Sequence, residues 1–176
     1  ENSVGQAECL EALQPRWQEW RKASKEFNNH SEIIKRGVGI GCCWYGCGNT
    51  SMSNPSTMRV GINSEGTITL YNGAMDIGQG ANTIMIQICA EALGLPASSF
   101  KFIMGDTDLT ADAGKTSASR QAFVSGRASQ LAGEHLRTQI IHLAEAEEDA
   151  NLRLDGRTLW VQDINGEHSI LLSDLL

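Results

Sequence analysis

The sequence lacks the basic excess that nucleic-acid binding demands. Its 14 Lys and Arg stand against 21 Asp and Glu, a formal charge of −7, whereas attraction to a phosphate backbone needs a basic face. Acidity of this size is a common solubility device and names no partner. No apolar run approaches the ~18 residues of a membrane span, and the first residues carry no basic-then-apolar signal pattern. Five cysteines, an odd number, do not make a secreted disulfide framework, which predicts a reducing, cytosolic setting. With 41% hydrophobic and 20% charged residues, the composition is that of a folded chain, not a disordered one. A length of 176 residues corresponds to about one domain with a real core.

What is present reads as a series of short elements. Leu10, Leu13, Trp17, Trp20, Ser24 and Phe27 recur every three or four positions, predicting a helix over 8–29 with one apolar face for contact with other parts of the protein. The stretch KRGVGIGCCWYGCGNTSMSNPS is rich in Gly and Cys and ends in a turn cluster. TMRVGINSEGTITLYNG reads as a hairpin around Asn63-Ser64-Glu65-Gly66. Ile84, Met85, Ile88, Ala92 and Leu93 mark a second helix that ends at Gly94, with Pro96 just beyond. SFKFIMGD is a short strand with Phe100, Phe102 and Met104 on one face.

The loop DTDLTADAGKTSASR leads into a long helix expected from Gln121 to Glu148. Val124, Ala128, Leu131, Leu136, Ile140 and Leu143 form its buried stripe, and Glu145, Glu147, Glu148 and Asp149 its solvated end. Turns at Asp155-Gly156 and Asn165-Gly166 close the chain in hairpins. No repeat recurs at a fixed period. This order predicts an α+β fold, a two-layer mixed sheet packed against helices, without regular βαβ alternation. The opening ENSVGQAECLEAL already runs as a helix and the closing SILLSDLL stops on an apolar run, which predicts a fragment or one subunit of a split protein.

Two junctions carry the candidate chemistry. GAMDIGQGANT places Gly78, Gln79 and Gly80 where a strand hands over to a helix. Backbone N–H groups at a helix start favour an anionic or hydrogen-bond-rich ligand, glycines permit close approach, and one planar amide offers both donor and acceptor. Glycines there can equally serve only a tight turn. GKTSASRQAF opens the long helix: Thr116, Ser117 and Ser119 are capping residues, and Arg120 is a bidentate partner for phosphate. Capping alone would explain them singly, but together the two junctions could clasp one extended ligand from two sides.

Competing motifs fail on spacing. GVGIG at 37–41 is followed by Cys42-Cys43-Trp44-Tyr45, not by a helix, and GQGANT lacks the third glycine of a dinucleotide fingerprint. GKT at 114–116 has Leu109 where a P-loop needs glycine. Cys42 and Cys47 have a ferredoxin-like spacing, but no Cys follows two residues further, and no His/Cys pairing suits zinc. The cysteines at 42, 43 and 47 are expected to be buried small hydrophobes. His30, His135, His142 and His168 are scattered and form no recognisable dyad.

The joint pattern of acid-x-G-Q-G, helix, G-D-T, then T-x-x-S-R resembles the molybdenum hydroxylases, which include xanthine dehydrogenase, aldehyde oxidoreductase and purine or nicotinate hydroxylases. It runs from KRGVGIGCCWYGCGNT through GTITLYNGAMDIGQGANTIMIQICAEALGLP and GDTD to GKTSASRQAFVSGRA, and more weakly into LRLDGRTLWV. WYGCGNT looks most like bacterial purine-hydroxylase members. The resemblance implies a molybdopterin-binding subdomain, with a leading helix at 1–34, a cofactor-binding core at 35–150 and terminal hairpins at 151–176. It assigns Gly78, Gln79 and Gly80 to the pterin or its phosphates, and Thr116, Ser117, Ser119 and Arg120 to the pterin dithiolene and phosphate side.

The implied cofactor is molybdopterin with molybdenum, in many bacterial members extended as a cytosine dinucleotide. The implied reaction is hydroxylation of an electron-poor carbon in a purine, another N-heterocycle or an aldehyde. Oxygen derives from water, a glutamate acts as general base, and electrons leave through iron–sulfur clusters, often to FAD. The family's glutamate lies in a G-E motif near the far C-terminus, and Gly166-Glu167 in the N-G-E-H hairpin is a chance dipeptide. These 176 residues alone are therefore expected not to turn over. Iron–sulfur and flavin modules, the other molybdenum-domain halves and a substrate-positioning arginine are expected elsewhere. The alternative is a non-enzymatic scaffold that retains the fold without cofactor.

Overall fold

A computed structural model describes residues 5–43, 45–46 and 53–175; the expectations for Trp44 and Cys47 fall outside these. The chain divides into two compact units, Glu1–Trp44 and Tyr45–Leu176.

In the first unit, helix α1 spans Gln6–His30 and none of its residues is buried. Pro15 lies inside it, where the helix forgoes one N–H donor. The chain then folds back on the helix end. Asn28 Nδ2 donates to Arg36 O (2.8 Å), Arg36 N donates to Asn28 Oδ1 (2.7 Å), and Lys35 Nζ donates to Asn28 O (2.7 Å). A basic side chain thus satisfies a carbonyl that the helix leaves open. The Arg36 guanidinium stacks 3.8 Å from the Phe27 ring centre. Cys42 and Cys43 are exposed, contrary to the burial expected of them. They lie on a segment with neither helix nor strand, so no regular element there supplies the packed interior that a small thiol prefers.

The second unit begins with strands β1 (Met58–Ile62) and β2 (Ile68–Asn72) in an antiparallel hairpin. Asn63 closes its turn by accepting Glu65 N (3.1 Å) and Thr67 N (2.8 Å) through Oδ1. From β2 the chain crosses through helix α2 (Ala81–Leu93) to β3 (Phe100–Met104), which pairs with β2 in parallel, Ile68 opposite Phe100 and Asn72 opposite Met104. The fold thus holds one βαβ crossover in a mixed sheet. Helix α2 stops where expected: Gly94 is left-handed (φ 83°) and Leu95 N donates to Ala90 O at 3.1 Å.

Helix α3 departs from its expected form at both ends. Residues Gln121–Ser125 make one π-helical turn, α3 proper spans Gly126–Leu143, and the chain turns away before Glu148. Glu145 adopts φ 52°, Glu145 N donates to His142 O (3.2 Å) and Ala146 N to Ile141 O (3.1 Å). This Schellman stop is made without glycine, so composition did not announce it. The buried face differs in part: Ile140 is buried and Leu136 packs against the core as expected. Leu131 and Leu143 are 48% and 56% exposed, while Ser125, Gly126, Ser129 and Gly133 are buried. Small residues at a four-residue spacing let α3 approach α2 closely. Ser129 Oγ donates to Met85 O at 2.8 Å, and a Cβ on Gly133 would stand 2.6 Å from Cys89 O.

A three-stranded antiparallel meander follows, of β4 (Asn151–Asp155), β5 (Thr158–Asp163) and β6 (Gly166–Leu171), with both expected hairpin turns. Asp163 accepts N–H groups from Glu147 (3.0 Å), Asn165 (2.8 Å) and Gly166 (3.0 Å), fastening the α3–β4 connection to the last turn. The main core joins the two sheets through Ile68, Leu93, Ile140, Leu159 and Val161. A second cluster, Leu70, Met85 and Cys89, packs β2 against α2. Burial pushes the Cys89 thiol up to about 11, so at neutral pH it is an inert packing group.

Gly133→Val drives a branched side chain into the Cys89 carbonyl. Overpacking of this kind costs roughly 1–3 kcal/mol, a fall in Tm of about 3–10 °C for a chain of this size. Gly61→Val, whose Cβ meets no atom within 4 Å, is expected to stay within about 2 °C of the parent. Equal melting curves for the two variants would refute the close helix contact.

Candidate functional site

Because β2 and β3 run parallel, their carboxyl ends share one edge of the sheet. The loop after β2 (residues 73–80) and the loop after β3 (residues 105–120) therefore meet, in the position where open sheets with parallel strands hold their ligands. Buried Asn72 turns the chain out of β2. Its Nδ2 donates to Ala74 O (3.0 Å), its Oδ1 accepts Ala74 N (2.8 Å), and its own carbonyl accepts Gly105 N (2.9 Å). Thr116 ties the two loops directly, its hydroxyl donating to Met75 O at 2.7 Å.

Asp76 organises the first loop. Its Oδ1 accepts Gly78 N (2.8 Å) and, at longer range, Gly80 N (3.4 Å), while Oδ2 accepts Asn82 N (3.0 Å). Three of the N–H groups that the sequence offered to a ligand there, those of Gly78, Gly80 and Asn82, are thus engaged by the chain's own carboxylate. These bonds, the Asn82 N–H foremost and then Gly78, hold the Asp76 carboxyl below its usual range. Gly78 and Gly80 have φ of 104° and 81°, and a Cβ on either would meet nothing within 4 Å. Glycine is needed there for backbone conformation, and the space beside it is open. Gln79 Oε1 accepts Ile77 N at 2.7 Å. Its Nε2 makes no hydrogen bond among the described residues and remains a donor.

The second loop is held by Arg120, which is 1% exposed. Its Nε donates to Asn54 Oδ1 (2.5 Å), Nη1 to Ala113 O (2.8 Å) and Lys115 O (2.9 Å), and Nη2 to Pro55 O (2.7 Å). Four of the five guanidinium N–H groups are thereby committed. Arg120 makes no ion pair among the described residues. The sequence suggested a phosphate clamp; the structure places the group as a hub that fixes the loop. Between Thr116 and Arg120 the chain holds Ala118 and Ser119 at φ 52° and 56°. This left-handed pair costs roughly 1–2 kcal/mol per residue, and Tyr45 steadies it by accepting Ala118 N through its hydroxyl at 2.8 Å. Such strain clusters at ligand sites.

Together these residues enclose a cleft of about 360 Å³. Ile77, Ala81, Ile84 and Met85 make an apolar wall, and Gln79, Thr116, Ser117, Ser119, Arg120 and Gln121 line it with polar groups. Gly78 and Gly80 shape the loop but do not line the cleft. Gln121 carries a buried acceptor without a partner. The single Thr116 hydroxyl hydrogen goes to Met75 O, so Thr116 Oγ1 must accept from Gln121 Nε2 (2.9 Å). Gln121 Oε1 is left buried and unpaired among the described residues, an exception to the rule of satisfied polar atoms. An apolar slot with a few convergent polar atoms and one orphaned acceptor fits a planar, hydrogen-bonding heterocycle such as a pterin. No acid, no His and no cluster of metal-ligating groups lines the cleft among the described residues.

Sequence reasoning missed Asp76, Asn54, Tyr45 and Gln121 as parts of this site. Asp76 had a signal, since an acid two residues before glycine is an Asx-turn pattern. The others are recruited across 66 to 73 residues or matter only through burial, as at Arg120–Asn54 and Ala118–Tyr45.

Arg120→Met removes the donors of four acceptors at once and is expected to cost more than about 3 kcal/mol, a loss of Tm beyond about 6 °C. Arg120→Lys, with three donors, should fall between; an unchanged Tm in Arg120→Met would refute the hub. Because the Asp76 carboxyl is depressed in the folded state, its stabilisation is present above the unfolded value of ~3.9. It is lost as pH falls through the lower folded value. Hydrogen-exchange protection factors at Gly78 and Asn82, taken against the intrinsic rate at each pH, should therefore fall only below about pH 4, and a fall near pH 5 would contradict this order.

The chain matches a family described as the molybdopterin cofactor-binding domain over residues 11–173. It is 37% identical over 145 residues to a putative xanthine dehydrogenase molybdenum-binding subunit of Escherichia coli, covering 79% of this chain and 19% of that one. It is 30% identical over 124 residues to a probable aldehyde oxidase of Caenorhabditis elegans, covering 69% and 10%. A solved Cu,Mo-containing CO dehydrogenase shares the fold over 71% of this chain and 17% of its own, with TM-score 0.52 and 23% identity. The chain thus spans about a fifth or less of the length of these relatives. It belongs to the family of molybdopterin cofactor-binding domains found in xanthine dehydrogenase- and aldehyde oxidase-type enzymes.

Proposed function

We propose that the cleft at the β2/β3 edge holds the pterin of a molybdenum cofactor within a larger hydroxylase. The observation that carries this reading is the convergence of Gln79 with Thr116, Ser117, Ser119 and Gln121 on one apolar-walled cleft. When bound, the cofactor supplies two-electron redox chemistry for hydroxylating a purine, another N-heterocycle or an aldehyde. The residues of this chain bind and orient. Gln79 offers its free Nε2 as a donor. The Ser117 and Ser119 hydroxyls make no hydrogen bond among the described residues and can serve as donor or acceptor. Ile77, Ile84 and Met85 exclude water from the ring face.

Among the described residues the polar groups lining the cleft are uncharged apart from the committed Arg120, and in this proposal another part of the enzyme supplies the proton-transferring carboxylate. Iron–sulfur and flavin modules, the other molybdenum-domain halves and, in a bacterial enzyme, the cytosine-dinucleotide form of the cofactor complete the proposal. A cytosolic setting belongs to the same proposal and rests on the odd number of cysteines in the sequence. No described helix is long and apolar enough to cross a membrane.

The test is cofactor content in the full-length enzyme. Gln79→Ala removes one donor to the ligand and should weaken retention by roughly 1–3 kcal/mol, read as a lower ratio of pterin and molybdenum to protein. Wild-type content in that variant would remove Gln79 from the site, and a wild-type enzyme without pterin would remove the function.

A further inference from the structure

Gln79 can present its Nε2 to the cleft only while the loop around it keeps one conformation, and its own side chain does not secure that. The Ile77 N–H donates to Gln79 Oε1 (2.7 Å), which leaves the amide nitrogen as the end of the side chain open to a ligand. That contact requires Ile77 and Gln79 to lie on the same tight turn. Asp76 makes the turn, because one carboxylate reaches Gly78 N, Gly80 N and Asn82 N. It spans from the residue before Ile77 to the first turn of α2. Residues 77–80 are all exposed, so no packing substitutes for these bonds. Asp76 N in turn donates to Met104 Sδ (3.4 Å), and Asn82 Nδ2 donates to the same sulfur (2.9 Å), which seats the loop on the end of β3.

We propose that Asp76 is a positioning residue for the cofactor: as an internal anion at the start of α2, it holds the loop in the one form that aims Gln79 Nε2 at the ligand. This rests on the cofactor reading above. It also separates two roles that a helix start usually combines. The chain's own carboxylate takes the anion position, and the neutral glutamine amide beside it is left for the ligand.

The test uses the full-length holoenzyme with Asp76→Ala, read by pterin and molybdenum content, by Tm, and by chemical rescue. The loop lies outside both core clusters, so Tm is expected to fall by no more than a few degrees, the scale of a lost helix cap. Cofactor retention should fall about tenfold. Formate added during cofactor loading replaces the missing carboxylate and should restore most of that loss, whereas neutral formamide should not. Retention equal to wild type would overturn the proposal. So would a loss that formate leaves unchanged, or one that follows a collapse of Tm. A wild-type enzyme that carries no pterin would instead overturn the cofactor reading, a failure visible before any variant is made.

Discussion

The parallel pairing of β2 with β3 is the constraint on which the site depends. A parallel neighbour can be reached only by a crossover, so the chain must climb away through α2 and return, and both strands then end on one edge. Two loops separated by some forty residues in sequence are thereby delivered to the same place. Helix α3 makes the arrangement rigid by lying on α2 through a stripe of Ser and Gly. Had that stripe carried large side chains, the helices would stand further apart. The π-turn at Gln121–Ser125 would then lose its fixed distance from the start of α2.

Within this frame, most of the strong polar groups are spent on the protein itself. Asp76 engages the N–H groups at the start of α2, and Arg120 engages four carbonyl or amide oxygens around the second loop. Charged groups committed in this way build a pocket that is stiff yet nearly neutral at its surface. What remains for a ligand on this reading is modest and directional: the Gln79 amide NH2, the hydroxyls of Tyr45, Ser117 and Ser119, and an apolar wall. Such a set discriminates by shape and hydrogen-bond pattern rather than by charge, which suits a fused heterocycle.

Much of this was readable from residue order. Gly78-Gln79-Gly80 before an apolar run, Gly94 before Pro96, and the Asn-Gly and Asp-Gly turns each reflect local backbone chemistry, and each appears in the structure where it was expected. The second unit's hairpins and α2 followed from the same kind of signal. The errors have a common origin. The expected face of α3 holds at Ile140 and Leu136 but not at Leu131 and Leu143, because apolar periodicity weighs large residues, whereas Ser129 and Gly133 are buried for being small. Its end was misjudged because Glu145 adopts a left-handed conformation that glycine normally signals. The exposure of Cys42 and Cys43 depends on what surrounds them, and composition carries no record of that.

By itself, the sequence determined which residues turn, which cap and which repeat with strand or helix period, because those preferences are set within a few bonds. It also placed Gln79 and Thr116–Arg120 among the candidate contacts. Only the tertiary structure decided what each polar group does with its hydrogen bonds. Arg120 became a buried hub, Asp76 an internal anion and Gln121 the holder of an oxygen unpaired among the described residues. Arg120 shows why: two of its partners, Asn54 and Pro55, lie 66 and 65 residues away and come into reach only through packing, whereas the side chains of Asp76 and Gln121 bond within their own loops and act as they do because of where the fold sets those loops.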